Sequence, residues 1–291
     1  MTDELEFTGE RFTPECVREI WYEHVHRYAF AQGLAKDKRV LDAACGEGYG
    51  SHLLSQVAKS VLGVDIDDKT IAHARSRYGR QRNLSFQQAD VTALHDLPDN
   101  SFDLITSFET LEHLQAQQAM LGGFARLLAP HGMLLVSSPD KAEYSDRRGF
   151  NNEFHVRELY RDELESLLGE YFPHIRLLGQ KLLFQSALWS LDGSIECAAA
   201  ITDVDGVPHA GLRYVPLYYL AICSRDPLPT LSDLHLFGDA AESVYAHYNA
   251  EVRKNMAAGE RIAELEQQLA ALRVKPTGQL PWWRNLLGRQ R

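Results

Sequence analysis

The stretch VLDAACGEGYGSHLL, from Val40 to Leu54, decides the fold class. An apolar run leads into a glycine loop and a second apolar run follows it, which predicts a buried strand, a tight turn and the start of a helix. The glycines are spaced two apart, at Gly46, Gly48 and Gly50. The dinucleotide fingerprint has a different spacing, and the lysine of a phosphate loop is absent. Asp42 and Glu47 would repel a pyrophosphate. The loop therefore favours a ligand that has a cationic end and no phosphate.

Composition limits the classes of protein that fit. A chain of 291 residues with 45% hydrophobic content allows one core of ordinary domain size and an appendage. The net charge of −10 disfavours a nucleic-acid partner. The acidic start and the lack of any apolar run of about 18 residues predict neither a signal peptide nor a transmembrane helix. Four widely spaced cysteines without a CxxC motif predict free thiols, no structural zinc and a cytoplasmic location.

Strand-like and helical patterns alternate along most of the chain. The first 36 residues read as helical, and five strand-like runs follow, at residues 39–44, 60–65, 84–90, 102–108 and 133–139. This alternation predicts a parallel α/β sheet with right-handed crossovers. Two later runs, at residues 174–183 and 214–224, need no helix between them and predict antiparallel pairing. We expect this α/β domain to span residues 1–225.

The remainder of the chain has a different character. Residues 226–238 contain prolines and predict a linker, and residues 239–273 predict a long helix. Within it, apolar residues follow the 3-4-3 spacing of a coiled-coil seam, at Ile262, Leu265, Leu269 and Leu272. The seam suggests a homo-oligomer through this helix, and the alternative is a helix packed on its own domain. Residues 274–291 form a basic aromatic tail. Trp282 and Trp283 beside arginine suit peripheral membrane contact or an acidic partner, unless the tail folds onto the protein itself.

Three acids lie where the first three predicted strands end. In an open parallel sheet, ligands bind beyond the carboxyl ends of the strands. Asp65 lies about twenty residues after the glycine loop begins and is placed to accept two ribose hydroxyls. Asp90 could accept from an adenine amine, and Asp42 could steer an ammonium group directly or through water. The neighbouring Asp67 is better read as a helix cap.

These motifs resemble the class I S-adenosylmethionine-dependent methyltransferases over roughly residues 20–225. The segments that carry the resemblance are VLDAACGEGYG, VLGVDID, LSFQQADVTALHDLPDNSFDLITSFETLEHL and RLLAPHGMLLVSSP. The resemblance implies a Rossmann-like seven-stranded sheet whose last strand is antiparallel, with S-adenosylmethionine as cofactor. It implies cofactor contacts at Asp42, Gly46, Gly48, Asp65, Ile66, Asp90, Val91 and Phe108. Ala44 stands where many members have glycine, and we expect this departure to be harmless because alanine is small.

The segment SFETLEHL carries the candidate chemistry. Methyl transfer from a sulfonium is an in-line displacement, and a hydroxyl acceptor needs a base or a metal to become nucleophilic. Glu109, Glu112 and His113 would share one face if a helix begins here. Similar ExxEH clusters occur in metal-dependent small-RNA 2′-O-methyltransferases and ubiquinone-pathway O-methyltransferases. His155 in NNEFHVREL lies where the RNA family has a further histidine. We therefore predict Mg²⁺ or Mn²⁺ ligands at Glu109, Glu112, His113 and His155, with His113 and His155 also the catalytic candidates. The alternative is that the glutamates complement a helix N-terminus and His113 is a lone base.

The acceptor follows only from resemblance. The segments GERFTPE, EHVHRY and NEFHVREL resemble bacterial enzymes associated with surface-polysaccharide assembly, which implies a hydroxyl of a glycan or sugar nucleotide. The alternatives are O-methylation of a small phenol or quinone, and a methyltransferase-like scaffold without catalysis. Trp189 could stack on a sugar or belong to the core. His24 and His26 are read as ordinary surface histidines.

Overall fold

The computed structural model describes residues 19–149, 151–183, 200–202, 208–212 and 214–273. The helices are α1 (Glu19–Ala35), α2 (Tyr49–Ser55), α3 (Asp68–Tyr78), α4 (Gln117–Leu127), α5 (Arg161–Gly169) and α6 (Ser243–Arg273). The strands are β1 (Arg39–Ala43), β2 (Ser60–Asp65), β3 (Leu84–Gln88), β4 (Phe102–Ser107), β5 (Leu128–Pro139), β6 (His174–Gln180), β7 (Ala200–Thr202), β8 (Pro208–Ala210) and β9 (Tyr218–Ser224). Residues 1–237 and 238–291 form two units.

Seven strands form one twisted sheet in the order β3-β2-β1-β4-β5-β9-β6, while β7 and β8 pair separately. Strands β1 to β5 are parallel, and β9 runs antiparallel to both β5 and β6. The predicted seven-stranded sheet with an antiparallel last strand is therefore confirmed. The strand order reverses between β1 and β4, which places a ligand crevice at the carboxyl ends of these strands.

The sheet is buried on both faces, which explains why its strands read as nearly continuous apolar runs. Successive side chains of β1 point to opposite faces, so Val40 and Leu41 enter different cores. Leu41 packs in a cluster with Phe124 of α4 and Leu168 of α5. Val40 packs in a second cluster that includes Leu54 of α2 and residues of α1 and α3. Packing against the two clusters fixes the position of β1 between the helical layers, and with it the position of the glycine loop that follows.

The segment predicted as a linker, residues 226–238, makes contacts with the α/β unit up to Phe237. Leu228 and Leu231 contact the core cluster on the α1 side. Asp233 accepts from Arg176 at 2.7 Å, and the ring of Phe237 stacks on that of His26 at 5.3 Å. The prolines of this segment prevent regular structure, but its apolar side chains still find a place in the core.

Helix α6 is a single helix of 31 residues in which no side chain is buried. The residues of the predicted seam are exposed, Ile262 by 58% and Leu272 by 62%. Pairing through this seam stays a prediction. Trp189 and the tail at 274–291 lie outside the described residues. Among the described residues, none of the helices combines the length and apolar character needed to cross a membrane.

Candidate functional site

The glycine loop after β1 depends on backbone conformations that favour glycine. Gly46 and Gly48 have φ angles of 52° and 93°. A Cβ on Gly48 would lie 2.9 Å from the ring of Phe86, so the close approach of β3 also requires glycine. Ala44 has a φ of 58°. Our expectation that this alanine is harmless considered only its size, whereas the left-handed conformation costs any non-glycine residue about 1–3 kcal/mol.

Asp65 at the end of β2 ties the loop to the second strand. Its Oδ2 accepts the backbone N–H of Gly46 at 2.9 Å, and its Oδ1 accepts that of Asp67 at 3.0 Å. A carboxylate oxygen can accept more than one hydrogen bond, so both oxygens keep acceptor capacity for a pair of ribose hydroxyls. The side chain is half-buried, which leaves it accessible to a ligand. Sequence reasoning predicted this role, and the geometry suits it.

Asp42 lies deeper than the sequence suggested. It is fully buried and accepts hydrogen bonds from Ser51 at 2.6 Å, Thr106 at 2.8 Å and Tyr28 at 3.1 Å. Burial raises the pKa of Asp42 to about 6, although the three hydroxyl donors act in the opposite direction. Its carboxylate therefore does not reach solvent for a direct ammonium contact. Its charge can act on a cationic ligand only across the surrounding hydroxyls or through water.

The other predicted cofactor residues surround the same crevice. Asp90, which follows β3, is exposed and accepts from the backbone N–H of Thr92 at 2.8 Å. Ile66 is 67% exposed, as expected of a side chain that covers a ligand, whereas Val91 and Phe108 are buried. Asp67, predicted as a helix cap, accepts from the backbone N–H of Lys69, and that prediction is confirmed.

Glu47 takes a structural role within the glycine loop. Its carboxylate is buried and pairs with Arg77 at 2.7 Å, while Tyr78 donates to it at 3.1 Å and His73 lies within 3.2 Å. Burial raises the pKa of Glu47, and the charge of Arg77 opposes that rise. These contacts anchor the loop to α3, so Glu47 faces away from the ligand crevice.

The ExxEH segment does not form the helix that sequence reasoning assumed. Glu109 has a φ of 50°, and only a short 3₁₀ turn follows, over Leu111–His113. The carboxylate of Glu109 accepts from the hydroxyl of Ser137 at 2.6 Å and lies 3.3 Å from the guanidinium of Arg27. Glu109 is therefore not among the residues whose ligand atoms lie together, although its charge still acts on Glu112. Left-handed backbone at a non-glycine residue is characteristic of functional sites.

Glu112 is a buried carboxylate with no hydrogen-bond partner on either oxygen. Burial raises its pKa well above the usual range, and the charge of Glu109 adds to the effect. A buried polar group left unsatisfied costs about 1–3 kcal/mol, and more when charged. The helix-dipole alternative for Glu112 has little basis, because the turn that contains this residue is a 3₁₀ helix of three residues, whose dipole is small. The carboxylate lacks a partner that a cation would supply.

Two loops bring His113 and His155 to Glu112. The carbonyl oxygen of Glu112 accepts the backbone N–H groups of Val156 and Arg157, at 2.8 and 2.9 Å. This clamp carries His155 from the loop after β5 to the end of β4. One ligand atom from each of Glu112, His113 and His155 lies within 4.8 Å of the others. The structure thus brings together three of the four predicted metal ligands.

The protonation pattern of the two imidazoles fits a divalent cation. Nδ1 of His113 lies 3.0 Å from the carbonyl oxygen of Phe154, which can only accept, so this nitrogen carries the proton. Nδ1 of His155 contacts the carboxylate of Glu158 at 2.5 Å. Nε2 is then the nitrogen that each histidine has available for the cluster. Metal-binding histidines show this same arrangement, and two imidazoles with a carboxylate suit Mn²⁺ or Zn²⁺ better than Mg²⁺.

His24 and His26 are not the surface histidines that the sequence suggested. Burial lowers the pKa of both, that of His26 to about 4. His26 is hydrogen-bonded to His235 at 2.8 Å. His26 lines a cavity of about 460 Å³, whose lining also includes Tyr22, Arg27, Phe30, Leu178, Pro216 and Leu234. Because Arg27 also contacts Glu109, the cavity lies beside the cluster.

Several residues of the site were missed in the sequence. Tyr144 stacks on His155 with ring centres 5.4 Å apart, and Tyr218 lies 5.8 Å from Tyr144 and beneath Arg27. These contacts join segments far apart in the chain, which no local pattern reveals. Glu158 was missed as well, although a local signal for it exists, because it lies three residues after His155 within the quoted motif.

The known proteins similar to this chain include methyltransferases. Residues 41–136 match the family described as "Methyltransferase domain". The probable S-adenosylmethionine-dependent methyltransferase Rv3030 of Mycobacterium tuberculosis is 40% identical over 169 residues, covering 56% of this chain and 60% of the relative. The ubiquinone biosynthesis O-methyltransferase of Coxiella burnetii is 34% identical over 113 residues, covering 38% of this chain and 48% of the relative. The chain thus spans about three fifths of the mycobacterial relative's length. The YcgJ protein of Bacillus subtilis, 19% identical with a TM-score of 0.51 over 70% of this chain and 100% of its own, has the same fold.

Proposed function

We propose that this protein, whose residues 41–136 match the methyltransferase domain family, transfers a methyl group from S-adenosylmethionine to a hydroxyl group with the help of a divalent cation. The observation that carries the proposal is the buried carboxylate of Glu112, which has no hydrogen-bond partner and lies beside the imidazoles of His113 and His155. Nitrogen acceptors are nucleophilic without such assistance, whereas a hydroxyl is not. A built cation site therefore favours oxygen as the acceptor atom.

The cofactor would lie over the carboxyl ends of β1 to β3. Asp65 would accept the ribose hydroxyls, Asp90 the adenine amine, and the left-handed backbone at Gly46 and Gly48 would keep side chains out of the way. The charge of Asp42 would favour the cationic end of the ligand. S-adenosylmethionine supplies the activated methyl group, so the protein needs only to align the acceptor and remove its proton.

The cluster at the end of β4 would prepare the acceptor. A bound divalent cation lowers the pKa of a coordinated hydroxyl. Glu112, His113 and His155 would hold it and leave its remaining positions open to the acceptor. The Glu109–Arg27 pair would keep that glutamate out of the cation site. Without a cation, the Nε2 atom of His113 or His155 would be the candidate base.

The first candidate acceptor is a sugar hydroxyl of a glycan or sugar nucleotide. Three protein ligands leave room for two adjacent oxygens, as a vicinal diol supplies. The rings of Tyr144 and Tyr218 lie beside the cluster, and aromatic faces of this kind pack well against sugars. The resemblance to enzymes of surface-polysaccharide assembly supports the same acceptor class.

A second candidate is a small phenol or quinone. Leucine and aromatic side chains make up much of the lining of the cavity beside Arg27, and its volume of about 460 Å³ suits a small organic molecule. A catechol also offers two adjacent oxygens to a cation. The similarity to a ubiquinone biosynthesis O-methyltransferase supports this alternative.

The experiment is a methyl-transfer assay with labelled S-adenosylmethionine and full-length protein. Sugar nucleotides and glycans form one acceptor panel, and phenols and catechols form the other. We expect product in one panel, loss of product after exhaustive chelation, and recovery with Mn²⁺. Glu112→Gln should abolish the recovery, whereas Glu153→Gln, an exposed neighbour on the His155 loop, should not. Full activity after chelation would refute the cation, and failure to bind the cofactor would favour the scaffold alternative.

A further inference from the structure

Glu158 makes a short hydrogen bond with His155. Its Oε1 lies 2.5 Å from Nδ1 of His155, and the two side chains are only 8% and 7% exposed. A carboxylate is an acceptor only, whereas an imidazole nitrogen can donate when it carries the proton. The bond therefore occupies Nδ1, so Nε2 is the nitrogen of His155 that remains available as a ligand atom in the cluster with Glu112 and His113.

The other contacts of His155 cannot make this choice. The ring of Tyr144 stacks on it at 26°, and the ring of His113 meets it at 81° with centres 5.0 Å apart. These contacts fix the plane of the imidazole. A rotation of the ring by 180° about the Cβ–Cγ bond keeps this plane and the stacking. It exchanges the position of each ring nitrogen with that of a ring carbon. Only the carboxylate of Glu158 distinguishes the two orientations.

The charges around the cluster also favour Glu158. Glu109 is paired with Arg27, whereas Glu112 and Glu158 lie beside the imidazoles of His113 and His155, which are neutral when they bind a cation. Two negative charges balance one divalent cation. Nδ1 of His113, in contrast, contacts a neutral backbone carbonyl, whereas Nδ1 of His155 contacts a carboxylate.

We propose that Glu158 is a positioning residue, which holds His155 with Nε2 directed at the cation site and supplies the second negative charge through the imidazole. This inference rests on the proposed function, since it concerns how the same site holds its cation. Loss of a residue that hydrogen-bonds the other ring nitrogen of a metal-binding histidine typically weakens metal affinity by about 10–100-fold.

Two measurements test the proposal on the full-length protein. Long-range ¹⁵N–¹H NMR of the histidine side chains, at about pH 8 and without cation, reads which nitrogen carries the proton. We expect the Nδ1–H form for His155 in wild type and in Glu158→Gln, whose amide oxygen still accepts, and a mixture in Glu158→Ala. Calorimetric titration with Mn²⁺ should show affinity about 10–100-fold weaker in Glu158→Ala and an intermediate loss in Glu158→Gln. Glu165→Gln, an exposed residue of α5, is the matched control and should change neither.

The outcomes separate this inference from the function on which it rests. Absence of Mn²⁺ binding by the wild-type protein would overturn the cation site and the role of Glu158 together. Wild-type binding with equal affinity in Glu158→Ala would overturn the role of Glu158 alone. If Glu158→Ala does not fold, Glu158→Gln decides: unchanged Mn²⁺ affinity in that variant would refute the charge contribution.

Discussion

Replacement of Asp42 by asparagine should stabilise the fold at neutral pH. Burial raises the pKa of Asp42 from 3.8 to about 6, so the unfolded chain releases this proton at a lower pH than the folded protein. The contribution of Asp42 to the free energy of unfolding therefore falls as pH rises from about 4 to about 6, and stays constant above. A difference of about two pKa units corresponds to about 3 kcal/mol.

Asparagine removes the buried charge but disturbs the hydrogen bonds. The hydroxyls of Ser51 and Thr106 can rotate to accept from the new amide group, and Tyr28 can continue to donate. We allow about 1 kcal/mol for imperfect geometry. The expected net gain is about 1–2 kcal/mol near pH 7.5, and it should vanish or reverse near pH 4.5, where the wild-type group is already protonated in the folded state.

Urea denaturation at the two pH values measures the difference. Asp103→Asn is a control of opposite sign, because Arg39 holds the pKa of Asp103 below its usual range through paired hydrogen bonds, so its loss should destabilise the protein at pH 7.5. Equal destabilisation of Asp42→Asn at both pH values would refute the reasoning. Asp42→Asn should also bind S-adenosylmethionine more weakly, since the negative charge of the wild-type Asp42 favours a cationic ligand.

Three further predictions concern the cofactor site and the helix. Asp65→Ala should weaken S-adenosylmethionine binding in calorimetry by about 1.5–3 kcal/mol, as expected for hydrogen bonds to a charged group, while exposed Asp68→Ala should not; equal affinities would contradict the ribose assignment. Ala44→Gly should raise the free energy of unfolding measured in urea by about 0.5–1 kcal/mol, because the relief of left-handed backbone strain exceeds the added entropy of the unfolded chain. Ala43→Gly should lower it. A chain that ends after Phe237 should sediment as a smaller assembly than the full chain if the seam of α6 pairs two copies, and identical assemblies would argue against pairing.

The sequence was sufficient for those features that local chemistry controls. Alternation of strand and helix patterns predicted the sheet, because each strand buries two apolar faces and must read as an apolar run. The loop at Gly46 and Gly48 was recognisable because few residues adopt its backbone conformation. Asp65 was recognisable because strand ends of a parallel sheet converge on one edge.

Only the tertiary structure decided which candidate groups meet, because side-chain environments depend on segments distant in the chain. The ExxEH pattern could not show that Glu109 pairs with Arg27 and is not one of the three residues whose ligand atoms lie together, since 82 positions in the sequence separate Glu109 from Arg27. Nor could it show that Glu112 lacks a hydrogen-bond partner, because burial is a property of the packed protein. The clamp that brings His155 to Glu112 depends on backbone bonds between two loops. Residue types and spacing thus supplied the candidate ligands, and packing brought three of them together.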